Sequence, residues 1–205
     1  MTQDLPLSSA LDEETARAEV YGLLAALFLR PLTVDLYDNL RVAVTETPAP
    51  GAVLESSWAE LVGCSRALSL AEIESEFNAL FGGLGKPEIN LYGSHYLSGF
   101  LNEKPLVSLR SDIAMLGLGR DDEQIETEDH VSYVCEVMRY LIAGDDVAVA
   151  NLTRQREFFT RHVQSWLPAL CAALLAHPKA VFYRSVAGFA DTFVSVEAQG
   201  FDMLA

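Results

Sequence analysis

Basic residues are scarce in this chain: 14 Lys and Arg stand against 29 Asp and Glu over 205 residues, a formal net charge of −15. Binding a phosphate backbone takes a basic face, so nucleic acid is excluded as a partner class, and anionic lipid is disfavoured on the same ground. A cationic partner is favoured. Cysteine is sparse too. Cys64, Cys135 and Cys171 stand far apart with no C-x-x-C spacing, the pattern of reduced thiols in the cytosol rather than of a disulfide framework. Long apolar runs are missing: the longest, Val20 to Leu29, falls well short of the ~20 residues of a bilayer span. The opening MTQDLPLSSALDEE has neither the basic nor the apolar region of an export signal. These features predict a soluble cytoplasmic protein with no direct membrane insertion.

The usual signatures of catalysis are also lacking. Gly82-Gly83-Leu84-Gly85-Lys86 resembles part of a phosphate loop, but G-x-x-x-x-G-K-S/T needs glycine where Leu80 stands and a hydroxyl where Pro87 stands. A helix rather than a strand precedes it, so the run reads as a helix stop. The four histidines, His95, His130, His162 and His177, fall into no zinc-binding spacing. No G-x-S-x-G elbow is present, and no Ser, His and Asp set forms a recognisable nucleophile. The sequence therefore predicts no catalytic residue, no metal site and no enzyme activity. The alternative function is a helical small-molecule or nucleotide-binding protein that uses the Gly82–Gly85 loop.

What is present is amphipathic helix. With 50% hydrophobic and 21% charged residues the chain is globular, and its length suits one domain with a core of its own. Residues 1–10 read as a loose tail and 11–205 as the domain. Asp12 to Leu29 carries apolar residues at helical spacing and ends at Arg30-Pro31, because the residue before proline is pushed out of the α region. Thr33 is positioned to cap a second helix, and a third runs from about Val53 to Leu68. Ser69-Leu70-Ala71-Glu72 is a capping box that starts a fourth. Tyr92 to Leu101 reads either as loop or as a short helix.

Leu106 to Leu116 is helical and is stopped by Gly117 and Gly119. Thr127 would cap the helix that ends at Gly144, and Asp145 a long helix reaching about His162. Leu167–Ala176 and Ala180 to about Glu197 complete the set. No stretch alternates as a strand does. The prediction is an all-α single globular bundle of roughly eight to ten helices.

Two local features stand out as a candidate site. One is the acidic stretch Asp121, Asp122, Glu123, Glu126, Glu128 and Asp129, which leads into His130. Acids in a first helical turn interact favourably with the dipole, and an acidic run is commonly a solvated loop; alternatively, paired carboxylates attract arginine. The other is the aromatic set Phe77, Phe81, Tyr92, Tyr96 and Phe100, read either as core or as a groove for a partner's hydrophobic segment.

Taken in order, these residues resemble a known pattern. Phe77-Asn78-Ala79-Leu80-Phe81, then Gly83-Leu84-Gly85, Tyr92-Gly93-Ser94-His95-Tyr96-Leu97 and Glu126-Thr127-Glu128-Asp129-His130 are similar to the TorD/DmsD/NarJ family. That family's pattern has an aromatic helix end before Gly-Pro-Gly, then Pro-Pro-Trp-x-Ser-x-Tyr and an acidic E-P-x-D-H turn. Phe158-Phe159, His162, Trp166 and Val181-Phe182-Tyr183 resemble its tail. Here Asn90-Leu91-Tyr92 stands for Pro-Pro-Trp, Thr127 for the proline of the acidic turn and Leu84 for that of Gly-Pro-Gly.

The resemblance implies an all-helical, TorD-like fold and a cytoplasmic redox-enzyme maturation chaperone rather than an enzyme. Its partner would be the apo catalytic subunit of a molybdenum oxidoreductase of the dimethyl sulfoxide reductase superfamily. The chaperone would bind the apo-enzyme, its twin-arginine signal peptide, or both, before cofactor insertion and export. No permanently bound cofactor is implied; transient contact with molybdopterin guanine dinucleotide or GTP is left open, as is the choice between monomer and domain-swapped homodimer. The implied client-binding residues are Phe77, Leu80, Phe81, Leu91, Tyr92, Ser94, Tyr96, Glu126, Glu128, Asp129 and His130.

Overall fold

A computed structural model describes residues 7–45, 53–82, 86–101, 103–119 and 125–203. Ten α-helices run through them: α1 Leu7–Leu29, α2 Val34–Val42, α3 Glu55–Ala67, α4 Leu70–Phe81, α5 Gly93–Ser98, α6 Lys104–Met115, α7 Val131–Ala143, α8 Leu152–Phe158, α9 Leu167–Ala176 and α10 Phe182–Met203. A π-helical turn, Phe159–Val163, extends α8. The described residues contain no named strand, and the single-domain all-α expectation holds.

The two longest helices organise the bundle. α1, about 35 Å long at 1.5 Å per residue, packs along α7, and α10 packs against α9, α3 and α4. Both long helices turn aromatic residues inward. Tyr21 and Phe28 of α1 and Phe182 and Tyr183 of α10 are wholly buried; burying each such side chain is worth about 1.5–3 kcal/mol. Phe28, Phe77, Phe81 and Tyr183 form one aromatic cluster, with ring centroids 4.8 to 6.2 Å apart, that joins α1, α4 and α10.

Two polar devices lock these elements. The carboxylate of Glu76 on α4 accepts the backbone N–H groups of Val181, Phe182 and Tyr183 at 2.8 to 3.0 Å, so a side chain from another helix caps α10. Farther along, Arg17 of α1 donates to both oxygens of the buried Glu197 of α10, at 2.6 and 2.9 Å. Tyr21 Oη donates to the same carboxylate, and Gln155 of α8 accepts from Arg17. A buried charge with several partners is tolerable where a lone one is not.

Local capping follows the sequence at several ends. Thr33 Oγ1 accepts from the Leu36 N–H, the Ser69/Glu72 capping box is complete, and Gly144 closes α7. Gly117, at φ 72°, ends α6, a left-handed conformation that glycine adopts without strain. Tyr92–Leu101 resolves into the short helix α5 preceded by an extended Tyr92.

Other expectations need correction. α1 starts at Leu7, so residues 7–10 are helix rather than tail. Thr127 does not cap α7; His130 does, its Nδ1 accepting from the Ser132 N–H, while the Thr127 hydroxyl donates to Asp129. Asp145 does not start a helix. The chain turns through residues 145–151, and Asn151 caps α8 by accepting from the Arg154 N–H. The last helix runs on to Met203 because Phe201 continues its buried stripe.

Candidate functional site

The segment before α5 and the segment before α7 meet side by side. Tyr92 and His130 form an antiparallel bridge, with the Gly93 N–H donating to the Asp129 carbonyl at 2.8 Å and the Val131 N–H to the Leu91 carbonyl at 2.9 Å. Gly93 is required at this crossing: a Cβ there would lie 3.0 Å from the Trp166 indole. The glycine that looked like part of an aromatic motif is thus a packing requirement.

Asp129 is the clasp of this junction. It is 4% exposed. One carboxylate oxygen accepts the Ser94 N–H at 3.0 Å, at the start of α5, and the other accepts the Thr127 hydroxyl at 2.6 Å. Neither oxygen is left over as a bare anion. Glu128 is buried as well and is held by Arg110 of α6 at 2.8 and 2.9 Å. Of the three acids in the turn, Glu126 is the one that reaches an open cleft; it also accepts the Tyr92 hydroxyl. Burial and the neighbouring Glu126 push the Tyr92 phenol up, so it remains a donor.

His130, only 3% exposed, lies under Tyr92 with ring centroids 5.2 Å apart. Burial pushes its pKa down, against the opposing pull of Glu126 and Asp129, so the ring is neutral near pH 7. Because Nδ1 accepts the Ser132 N–H, the ring proton sits on Nε2, which donates to no described residue.

Glu126 and His130 line a cleft of about 660 Å³ between the end of α1, the start of α2 and the start of α7. Its apolar surface comes from Ala25, Leu29 and Leu36, and its charged groups are Arg30, Asp35, Glu126 and Glu136. The Ser132 hydroxyl donates to the Ala25 carbonyl, which fixes α7 against α1 at the base of the cleft. That volume is within the ~300–1,000 Å³ range of ligand clefts.

The remaining candidate residues lie elsewhere. Leu80 is wholly buried and Leu91 nearly so, both in the core. Phe77 and Phe81 are half-buried in the α1–α4–α10 aromatic cluster. Tyr96 stacks on Trp166 at 5.8 Å and donates to the Asn90 carbonyl. Ser94 is buried, with a hydroxyl that has no partner among the described residues. Gly83, Leu84, Gly85, Asp121, Asp122 and Glu123 lie outside the described residues, so most of the glycine loop and the front of the acidic stretch do too.

Sequence reasoning missed Asp35, Leu36 and Glu136. Asp35 reads as an ordinary first-turn acid of α2, and nothing local shows that α2 stands opposite His130. Among the described residues no three His, Cys, Asp or Glu side chains converge to hold a metal ion, and no helix is long and apolar enough to cross a membrane.

Comparison with known proteins places this geometry in context. The family model described as "Nitrate reductase delta subunit" matches residues 48–172, more than half of the chain and the whole Tyr92–His130 junction. The chain is similar to "Chaperone protein TorD" of Vibrio cholerae, 24% identical over 204 residues that cover 92% of this chain and 93% of the relative. It is 22% identical to the protein of that name from Colwellia psychrerythraea, covering 92% of each, and 23% identical to that of Vibrio parahaemolyticus, covering 89% and 93%. The chain belongs to the nitrate reductase delta subunit family, the TorD/NarJ family.

Proposed function

We propose that this protein is a redox-enzyme maturation chaperone, a binding module without turnover. Its client is the apo catalytic subunit of a molybdenum oxidoreductase of the dimethyl sulfoxide reductase superfamily, recognised through its twin-arginine leader before cofactor insertion and export. Family membership and relatives named as chaperones support the class. The observation that carries the reading is the cleft beside His130, which sets an N–H donor and carboxylates above apolar side chains.

A twin-arginine leader presents guanidinium groups followed by an apolar, helix-prone segment, and the two surfaces of the cleft suit the two parts. The carboxylates set on-rate and orientation; the apolar contacts supply most of the affinity. Asp129 works indirectly, by holding the turn that presents Glu126 and His130.

Titration calorimetry with a synthetic twin-arginine peptide and its Lys-Lys counterpart tests this. Tighter binding of the arginine peptide is expected, since guanidinium pairs with carboxylate in bidentate geometry. Equal or absent heats for both would remove leader recognition. The proposal extends to transient contact with molybdopterin guanine dinucleotide or GTP, which a thermal-shift titration would register as a rise in Tm.

One observation favours an additional contact with the body of the client. Around the end of α5 and on α6, Leu97, Phe100, Leu101 and Val107 are exposed, Phe100 by 70%. Co-purification with a client lacking its leader separates this contact from leader binding.

A further inference from the structure

The cleft has a second side that the acidic-turn motif does not reach. One side is Glu126 and His130. The other is α2, where Asp35 and Leu36 border the cleft beside Leu29 of α1, with Glu136 six residues after His130, nearly two turns along α7. Three carboxylates and one guanidinium, Arg30, border the same space. Asp35 makes no ion pair or hydrogen bond among the described residues, and Glu136 has only the exposed Arg139 at 3.3 Å.

An acid in the first turn of a helix suits the dipole, and that alone would account for Asp35. His130 is the independent sign of a ligand. It is 3% exposed, lines the cleft, and its Nε2–H is without an acceptor among the described residues. The Nε2–H opens onto the cleft, where a carbonyl of a bound segment can accept from it.

We propose that Asp35 and Glu136 seat a positively charged side chain of the bound segment, while His130 Nε2 donates to a backbone carbonyl of that segment. The occupant is a peptide with a basic residue beside apolar ones, which settle against Ala25, Leu29 and Leu36. This rests on the chaperone reading above and adds its specificity-determining residues. It places the basic side chain between α2 and α7 rather than on the Glu126–Asp129 turn, where Asp129 and Glu128 are already engaged.

The test uses the full chain and three labelled peptides that present Arg-Arg, Lys-Lys or Ala-Ala ahead of the same apolar segment. Fluorescence anisotropy is read for wild type, Asp35→Asn, Glu136→Gln, the double variant and Glu126→Gln. The double variant is expected to weaken Arg-Arg binding about tenfold at low salt while leaving Ala-Ala binding unchanged, since rim charges act through steering and pairing. Asp35 is exposed, so Asp35→Asn alone keeps the test interpretable if the double variant loses helicity. Should the double variant bind Arg-Arg as wild type does while Glu126→Gln weakens it, the seat is on the turn; this inference falls and the chaperone reading stands. Should wild type bind no peptide at all, both fall.

Discussion

Asp129 reaches back thirty-five residues to accept the backbone N–H of Ser94 at 3.0 Å. The acid of the Asp-His pair therefore holds α5 to the turn before α7, and the pair divides its labour: Asp129 builds the junction and His130 faces the cleft.

Removing that clasp should cost stability. Asp129→Ala strips the cap of α5 and leaves the buried Ser94 N–H and the half-buried Thr127 hydroxyl without their acceptor. A loss of about 1–3 kcal/mol is expected in urea denaturation, with bulk helicity retained before the transition. Thr127→Val, which removes one contact, should cost less. Equal stability of Asp129→Ala and wild type would mean that the clasp contributes nothing.

The cap on α10 is a tertiary one and should behave so. Glu76→Ala leaves the N–H groups of Val181, Phe182 and Tyr183 without their acceptor. About 1–2 kcal/mol of stability should go, as for loss of a good N-cap, and amide exchange should quicken at those residues first. Exchange spread evenly over the helix would argue that water replaces the carboxylate at no cost.

The Arg17–Glu197 pair offers a sharper comparison. Arg17→Met strands a carboxylate that is 5% exposed, and about 3–5 kcal/mol should be lost. Arg17→Met with Glu197→Leu removes both charges and should recover most of that loss, less about 1 kcal/mol for the freed Tyr21 hydroxyl. A double variant no better than the single would show that packing, not charge, holds the site.

Much of this architecture was legible because the relevant physics is local. Ser69 and Glu72 satisfy each other's backbone within one turn, and Thr33 and Gly144 act on their own helix ends, so those boundaries read directly from the chain. Thr127 misled because its hydroxyl has a nearer partner in Asp129, which leaves His130 to cap α7. Asp145 misled for a similar reason: Asn151 caps the following helix, and a turn intervenes. The candidate site was legible only on one side. Glu126, Asp129 and His130 are adjacent in sequence, whereas Asp35 reaches the same cleft through the packing of α1 on α7. The ion pair of Glu128 with Arg110 was equally invisible, since it depends on where α6 lies.

Acidification should loosen the fold in a defined window. His130 and His162 are both buried, and burial lowers the pKa of each below the ordinary 6.5; for His162 this happens despite its contact with Asp112 at 2.6 Å. The unfolded chain takes up protons as pH falls through about 6.5 while the folded chain resists, so stability is complete above that value and declines toward the lower folded pKa values. Each histidine contributes at most about 1.4 kcal/mol per pH unit within its window. Asp112, whose burial is outweighed by its contacts with His162 and Arg161, adds a further decline at more acid pH. Melting temperatures of wild type, His130→Gln and His162→Gln between pH 7.5 and 5 check this; a pH-independent wild-type Tm over that range would contradict it.

The most direct measurement is photo-crosslinking of a leader peptide that carries a photoreactive residue next to its paired arginines, followed by mapping of the adducts on the intact chain. Adducts concentrated in residues 25–39 and 126–136, reduced by excess unlabelled twin-arginine peptide, are the expected result. Adducts spread over the surface, or gathered on the α8–α9 side away from His130, would show that the leader does not occupy the cleft between α1, α2 and α7.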